Sequence, residues 1–147
     1  MGTELTKLIE NEIKEFEREI KSIVEASGIY TARVEDIDIS EIGLRTLLIT
    51  IYTKMMEPSE ECASVPNYDE CLEEVLNEIN KNYSFKTEIR IKTEEFTLET
   101  WGLKCEKDYC EVGAAIGVAI SNPHDLSTIK LAEETVKKVI DILFTTY

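Results

Sequence analysis

From Tyr83 to Thr93 the chain alternates: Tyr83, Phe85, Thr87, Ile89, Ile91 and Thr93 are separated by Ser84, Lys86, Glu88, Arg90 and Lys92. A period of two marks a strand with one apolar and one solvated face. The phase shifts at Thr93-Glu94-Glu95-Phe96, which puts Phe96 and Leu98 in a second strand, and Glu106-Lys107-Asp108 turns that strand back into Val112 to Ile120. A three-stranded meander follows. Asn122-Pro123-His124-Asp125 ends it, and Leu126, Ile129, Leu131, Ala132, Val136, Val139, Ile140 and Leu143 then recur at helical spacing. The chain closes with a helix on the sheet.

The first half reads in the same way. Leu5, Leu8, Ile9, Ile13, Phe16, Ile20, Ile23 and Val24 predict a long amphipathic helix from Leu5 to Ala26, with Gly28 as its stop. Tyr30, Ala32 and Val34 begin a strand whose phase slips at Asp36 before Ile37 and Ile39, the signature of a bulge or bend. A turn at Ser40-Glu41-Ile42-Gly43 leads into a second strand, Leu44 to Tyr52, apolar on both faces. Residues 57 to 66, bracketed by Pro58 and Pro66, read as the only real loop and the most mobile internal part. Asn67 with Glu70 resembles a capping box, and Leu72, Val75, Leu76 and Ile79 give the next helix its buried stripe. The order is αββαβββα. Short connections between successive strands favour antiparallel pairing. The expected fold is α+β, one antiparallel five-stranded sheet with three helices, in a single domain over residues 1 to 147.

Composition narrows the function classes. Hydrophobic content of 43% and charged content of 31% over 147 residues fit an ordered domain that buries one core. No apolar run reaches the roughly 20 residues that span a bilayer, and Met1-Gly2-Thr3-Glu4 lacks the features of a signal peptide, so a cytoplasmic protein is expected. The match of Asn82-Tyr83-Ser84 to a glycosylation acceptor then carries no weight. A net charge of -14 argues against direct nucleic-acid binding, which gains affinity from neutralising phosphates. It serves solubility, or else makes the chain an acidic decoy for a basic nucleic-acid-binding channel.

Little in the sequence suggests catalysis. His124, the single histidine, stands in a Pro-containing turn, and no nucleophile motif or phosphate loop occurs. Gly113-Ala114-Ala115-Ile116-Gly117 lacks the dinucleotide spacing, and its glycines read as room for a neighbouring element to approach. The acidic pairs Glu60-Glu61, Glu73-Glu74, Glu94-Glu95 and Glu133-Glu134 read as solvated surface. No cofactor is expected. Cys105 and Cys110 flank a hairpin turn within disulfide range, and Cys62 and Cys71 stand nine apart. Reduced thiols are the expectation for a cytosolic chain, with disulfides or a zinc site built from Cys62, Cys71, Cys105 and Cys110 as alternatives.

The element order resembles the roadblock family, which includes the roadblock-type dynein light chains and the bacterial MglB-type regulators of small GTPases. Gly28-Ile29 after the first helix and Ile42-Gly43-Leu44 at the second strand are similar to the family's opening hairpin. Ala119-Ile120-Ser121-Asn122-Pro123 with Leu126 is similar to its exit into the closing helix. The resemblance implies a non-catalytic homodimer in which the Tyr83–Thr93 strand pairs with its own copy, with Lys86, Glu88, Ile89 and Arg90 at the interface. It also implies that the second helix lies near the two-fold axis, available to a small Ras-like GTPase. On that basis its exposed residues Glu73, Glu74, Asn77, Glu78 and Lys81 are the expected partner surface. The residues permit such pairing in two registers: about Ile89, Glu88 faces Arg90 of the other copy but Lys86 faces Lys92, whereas about Thr87, Lys86 faces Glu88. Equally, the alternating charges protect an unpaired edge. The expected function is a homodimeric module that binds and regulates such a GTPase or scaffolds a complex around one.

Overall fold

A computed structural model describes residues 2–39, 43–54, 57–107 and 110–145. Ser40, Glu41 and Ile42 of the first predicted turn, and Asp108 of the later one, lie outside them. The elements are α1 (Gly2–Glu25), β1 (Tyr30–Ile39), β2 (Leu44–Thr53), α2 (Pro58–Glu61), α3 (Tyr68–Tyr83), β3 (Arg90–Lys92), β4 (Phe96–Leu103), β5 (Gly113–Ile120) and α4 (Leu126–Thr145). The strands form one antiparallel sheet in the order β1-β2-β5-β4-β3. The expected α+β architecture holds, with four helices rather than three among the described residues. The extra one is α2, inside the segment expected to be a loop, where Pro58 takes an early helical position that needs no N–H donor.

The core occupies one face of the sheet. Ile9, Ile13, Phe16, Ile20 and Val24 of α1 and Ile129, Ala132, Val136, Val139, Ile140 and Leu143 of α4 pack on Leu47, Ile49, Ile51, Leu98, Ile116 and Val118. Leu8, Ile23 and Leu131, placed in the apolar stripes by spacing, point outward instead. Gly28 adopts φ 77° at the end of α1, the left-handed conformation expected there. Asp125 caps α4, its carboxylate accepting from Ser127 Oγ at 2.7 Å, Thr128 Oγ1 at 3.0 Å and Ser127 N at 3.0 Å; the two hydroxyl bonds, that of Ser127 first, hold its pKa below the usual carboxylate value.

The predicted bulge at Asp36 is absent: β1 pairs with β2 without interruption from Tyr30↔Thr53 to Ile39↔Leu44. The alternation keeps its phase through Asp36. Asp36 points to the inner face and holds Arg45, which is only 6% exposed, by two bonds of 2.9 and 2.8 Å, with Asp38 at 3.9 Å. A paired charge replaces the apolar residue that the pattern required. Glu133 departs similarly. Read as solvated surface, it is 3% exposed between α4 and α1, and its Oε2 has no hydrogen-bond partner. Burial first, then the neighbouring Glu12 carboxyl, pushes its pKa up to about 9, against a partial pull from Lys137.

The Tyr83–Thr93 strand is also shorter than predicted. Tyr83 ends α3, residues 85 to 89 lie outside the ladder, and only Arg90–Lys92 pair with β4. Phe85 diverts the chain: its N–H donates to Gly113 O at 3.0 Å, and its ring packs on Tyr30 (5.1 Å) and Phe144 (5.3 Å). Side-chain alternation survives, with Phe85 buried, Ile89 and Ile91 half-buried, and Lys86, Glu88, Arg90 and Lys92 exposed. The reversal at Thr93 to Phe96 is as predicted, closed by Thr93 N donating to Phe96 O at 2.9 Å.

The cysteines form two disulfides, Cys62–Cys71 with Cα atoms 5.8 Å apart and Cys105–Cys110 at 4.2 Å. This corrects the expectation of reduced thiols and occupies the sulfurs that a zinc site needs. Among the described residues, no helix is long and apolar enough to cross a membrane.

Candidate functional site

The helix α3 stands apart from the sheet. Asp69 and Glu70 favour its N-terminus and Lys81 its C-terminus through the helix dipole. Asn67 occupies the cap position, but its side chain makes no capping bond, so the predicted capping box is not formed. Of the predicted stripe only Leu72 is fully buried; Val75, Leu76 and Ile79 are half-buried. Burial this shallow cannot by itself hold a helix in place, and three tethers do so instead. The Cys62–Cys71 bridge joins α3 to the end of α2. The Asn80 side chain donates to Cys105 O at 3.0 Å and accepts from Cys105 N at 2.5 Å. Tyr30 Oη donates to Tyr83 O at 2.7 Å. Asn80 carries no signal in the sequence, because its partner is a backbone 25 residues away.

All five predicted partner-surface residues, Glu73, Glu74, Asn77, Glu78 and Lys81, are exposed, yet they do not form one patch. Glu74 and Glu78 line a groove of about 580 Å³ between α3 and α2, with Glu57 and Glu61 opposite and Pro58, Val75, Ile79 and Tyr83 as its apolar lining. Glu57 bonds to the Glu60 carboxyl beside it and raises its pKa. Glu73 and Asn77 lie on the other flank, in a depression of about 410 Å³ with Asn80, Cys105 and Lys107. Lys81 belongs to a third region, beside Ser84, Phe85, Lys86 and Thr87.

Of the predicted dimer residues only Arg90 falls within β3, the edge strand of the sheet; Lys86, Glu88 and Ile89 precede it, outside the ladder. Ile89 turns its backbone inward: its N–H donates to Thr100 Oγ1 at 2.8 Å, and its carbonyl accepts from Thr100 N at 3.0 Å. Thr93 also bonds inward. By the alternation of an antiparallel ladder, the outward-facing amides and carbonyls belong to the even positions, Glu88 and Arg90 among them.

The sheet's second face carries neither α1 nor α4. Across it, in register, run the rows Arg33–Thr50–Ala115–Trp101 and Glu35–Leu48–Gly117–Glu99–Arg90, flanked by Thr31–Tyr52–Gly113–Leu103 and Ile37–Thr46–Ala119–Thr97–Lys92. Trp101 is 41% exposed and Ile37 45%. The indole of Trp101 lies over Gly117, 3.4 Å from where a Cβ would stand, an ordinary contact distance. The close approach predicted for that glycine run is made at Gly113, where the Ile51 carbonyl of the neighbouring strand leaves no room for a Cβ, and not at Gly117. Arg33 bonds Glu111 through both guanidinium arms and lies 5.1 Å from the Tyr52 ring centre. His124 is exposed in its turn, and among the described residues no group of three or more His, Cys, Asp and Glu is arranged to hold a metal ion. Compared with family models, curated proteins and solved structures, the chain matches none.

Proposed function

We propose that this chain is a non-catalytic, homodimeric interaction module that binds and regulates a small Ras-like GTPase or scaffolds a complex around one, its dimer formed by β3 edges. The observation that carries an interaction role is α3, a helix pinned by Cys71, Asn80 and Tyr83 yet turning Glu73, Glu74, Asn77 and Glu78 to solvent. The roadblock-like element order supplies the GTPase. Outward-facing backbone at Glu88 and Arg90 supports edge pairing, since both registers weighed above use the even positions.

Light scattering tests the dimer. Glu88→Pro, which removes an outward N–H, should halve the mass, while Glu88→Gln, which removes only the charge, should leave it unchanged; a mass indifferent to the proline removes the edge. Glu74→Lys with Glu78→Lys should abolish capture of Ras-like GTPases from a panel in GDP and GTP forms, and unchanged capture by the variant removes α3 as the partner surface. A second reading, an acidic decoy for a basic nucleic-acid channel, draws on the groove of Glu57, Glu61, Glu74 and Glu78 and the net charge of -14. Salt-sensitive competition with DNA for that partner would select it.

A further inference from the structure

Three lysines converge on one hollow. Lys81 in the last turn of α3, Lys86 beyond that helix and Lys104 just after β4 line a depression of about 410 Å³, which shares Lys81, Ser84, Phe85 and Lys86 with a neighbouring one of about 290 Å³. Elsewhere Arg33, Arg45 and Lys137 each meet a carboxylate, but none of these three lysines forms an ion pair among the described residues. Exposed lysines alone mark no site; the floor beneath them does. Ser84 is only 5% exposed. Its N–H donates to Asn80 O at 3.2 Å, while its hydroxyl finds no partner among the described residues, and a buried hydroxyl left unpaired costs stability. The Ser84 Oγ stands 3.1 Å from where a Cβ on Gly102 would lie, so the bare glycine keeps the hollow open beside it. Gly102 also supplies a donor. By the alternation that sends Thr100 N to Ile89 O, its amide points towards the β3 side, beyond the last bond of that ladder and into the same depression.

Donors and positive charge under one opening select an anion. Against the three ammonium groups stand the Glu88 carboxylate, which also lines the depression, and the negative end of the α3 dipole, equivalent to about half a charge. A surplus of roughly one and a half positive charges remains. We propose that this hollow binds the phosphate group of a small phosphorylated molecule, held by Lys81, Lys86 and Lys104, with the Ser84 hydroxyl and the Gly102 amide donating to its oxygens. A phosphate monoester carries about 1.5 to 2 negative charges at neutral pH, which matches that surplus, and lysine binds it as a point charge on a flexible stem. A carboxylate brings one charge and one oxygen fewer to the same donors. The ligand is small because the net charge of -14 repels a phosphorylated protein or a nucleic acid over its whole surface, whereas a single group seated among the lysines feels mainly their local field. Hollows of this size suit such a molecule. The site depends neither on dimer formation nor on a GTPase.

Phosphorus NMR of inorganic phosphate and of glycerol phosphate, titrated with the protein at about pH 8 and fixed ionic strength, tests the site. Both signals should broaden, with a Kd of about 1 mM or tighter, and glycerol phosphate should bind at least as tightly as inorganic phosphate. Lys86→Ala and Lys104→Ala should each weaken binding about fivefold and Ser84→Ala about threefold, all with unchanged circular dichroism. Glu88→Gln removes the opposing charge and should tighten binding about threefold, a gain that no folding defect imitates. Lys130→Ala and Lys138→Ala, at exposed positions of α4, should leave it unchanged. No broadening of either probe at ~10 mM protein and ligand combined would overturn the proposal. Equal losses from the α4 lysines, a Ser84→Ala variant that binds like the wild type, or a Glu88→Gln variant that binds no better would overturn it too. Binding of inorganic phosphate without glycerol phosphate would mean an adventitious ion only and reject the small-molecule ligand.

Discussion

At position 133 a glutamate stands where α4 meets α1, held without charge by its surroundings. The folded chain keeps the proton up to about pH 9, whereas the unfolded chain releases it near the ordinary value of 4.5. Between those values folding takes up a proton, so stability falls as pH rises, by about 1.4 kcal/mol per unit at most, and the full penalty is present above pH 9. Glu133→Gln keeps the shape and cannot ionise. It should therefore match the wild type near pH 4.5 and exceed it by a few kcal/mol at pH 9, read as a widening gap in melting temperature. Parallel melting curves across that range would show that Glu133 is ionised in the fold. The sequence concealed this residue because Glu133-Glu134 looks like any exposed acidic pair. Arg45 and Asp36 misled in the same direction: an ion pair on the inner face breaks the apolar alternation just as a bulge does.

Among elements, α1, α4 and the β4–β5 hairpin were legible because their side chains follow one period and bury against one surface. The strand before the hairpin was legible in its alternation and not in its length, since the contact that ends it, Phe85 N to Gly113 O, joins residues far apart in sequence. The candidate partner helix was read correctly for its exposed side and not for its attachment. That attachment is measurable. Replacing Cys62 and Cys71 by serine opens a short loop and should cost about 2–3 kcal/mol of stability. Asn80→Ala removes two bonds to Cys105 and should cost about 1–3 kcal/mol. Both should raise amide exchange in α3 more than in β5; equal change in the two elements would mean that α3 unfolds only with the core.

For the whole molecule, 30 acidic residues against 16 basic ones set a field that every contact must accommodate. Screening it should help the fold: raising sodium chloride from ~10 to ~300 mM shortens the Debye length from about 30 Å to under 10 Å and should raise the melting temperature. A fall would mean that pairs such as Arg45–Asp36 and Arg33–Glu111 outweigh the general repulsion. The fold class followed from the sequence because the hydrophobic periods are strong, whereas the second face stayed hidden until register aligned residues from five strands. That alignment also furnishes a built-in optical probe. Trp101 is the chain's single tryptophan, and its indole lies against Gly117 in the middle of that face. Ultraviolet emission excited in the indole band therefore comes from one known spot, and whatever settles on the face, copy or partner, will displace water from it and shift the emission to the blue without any attached dye.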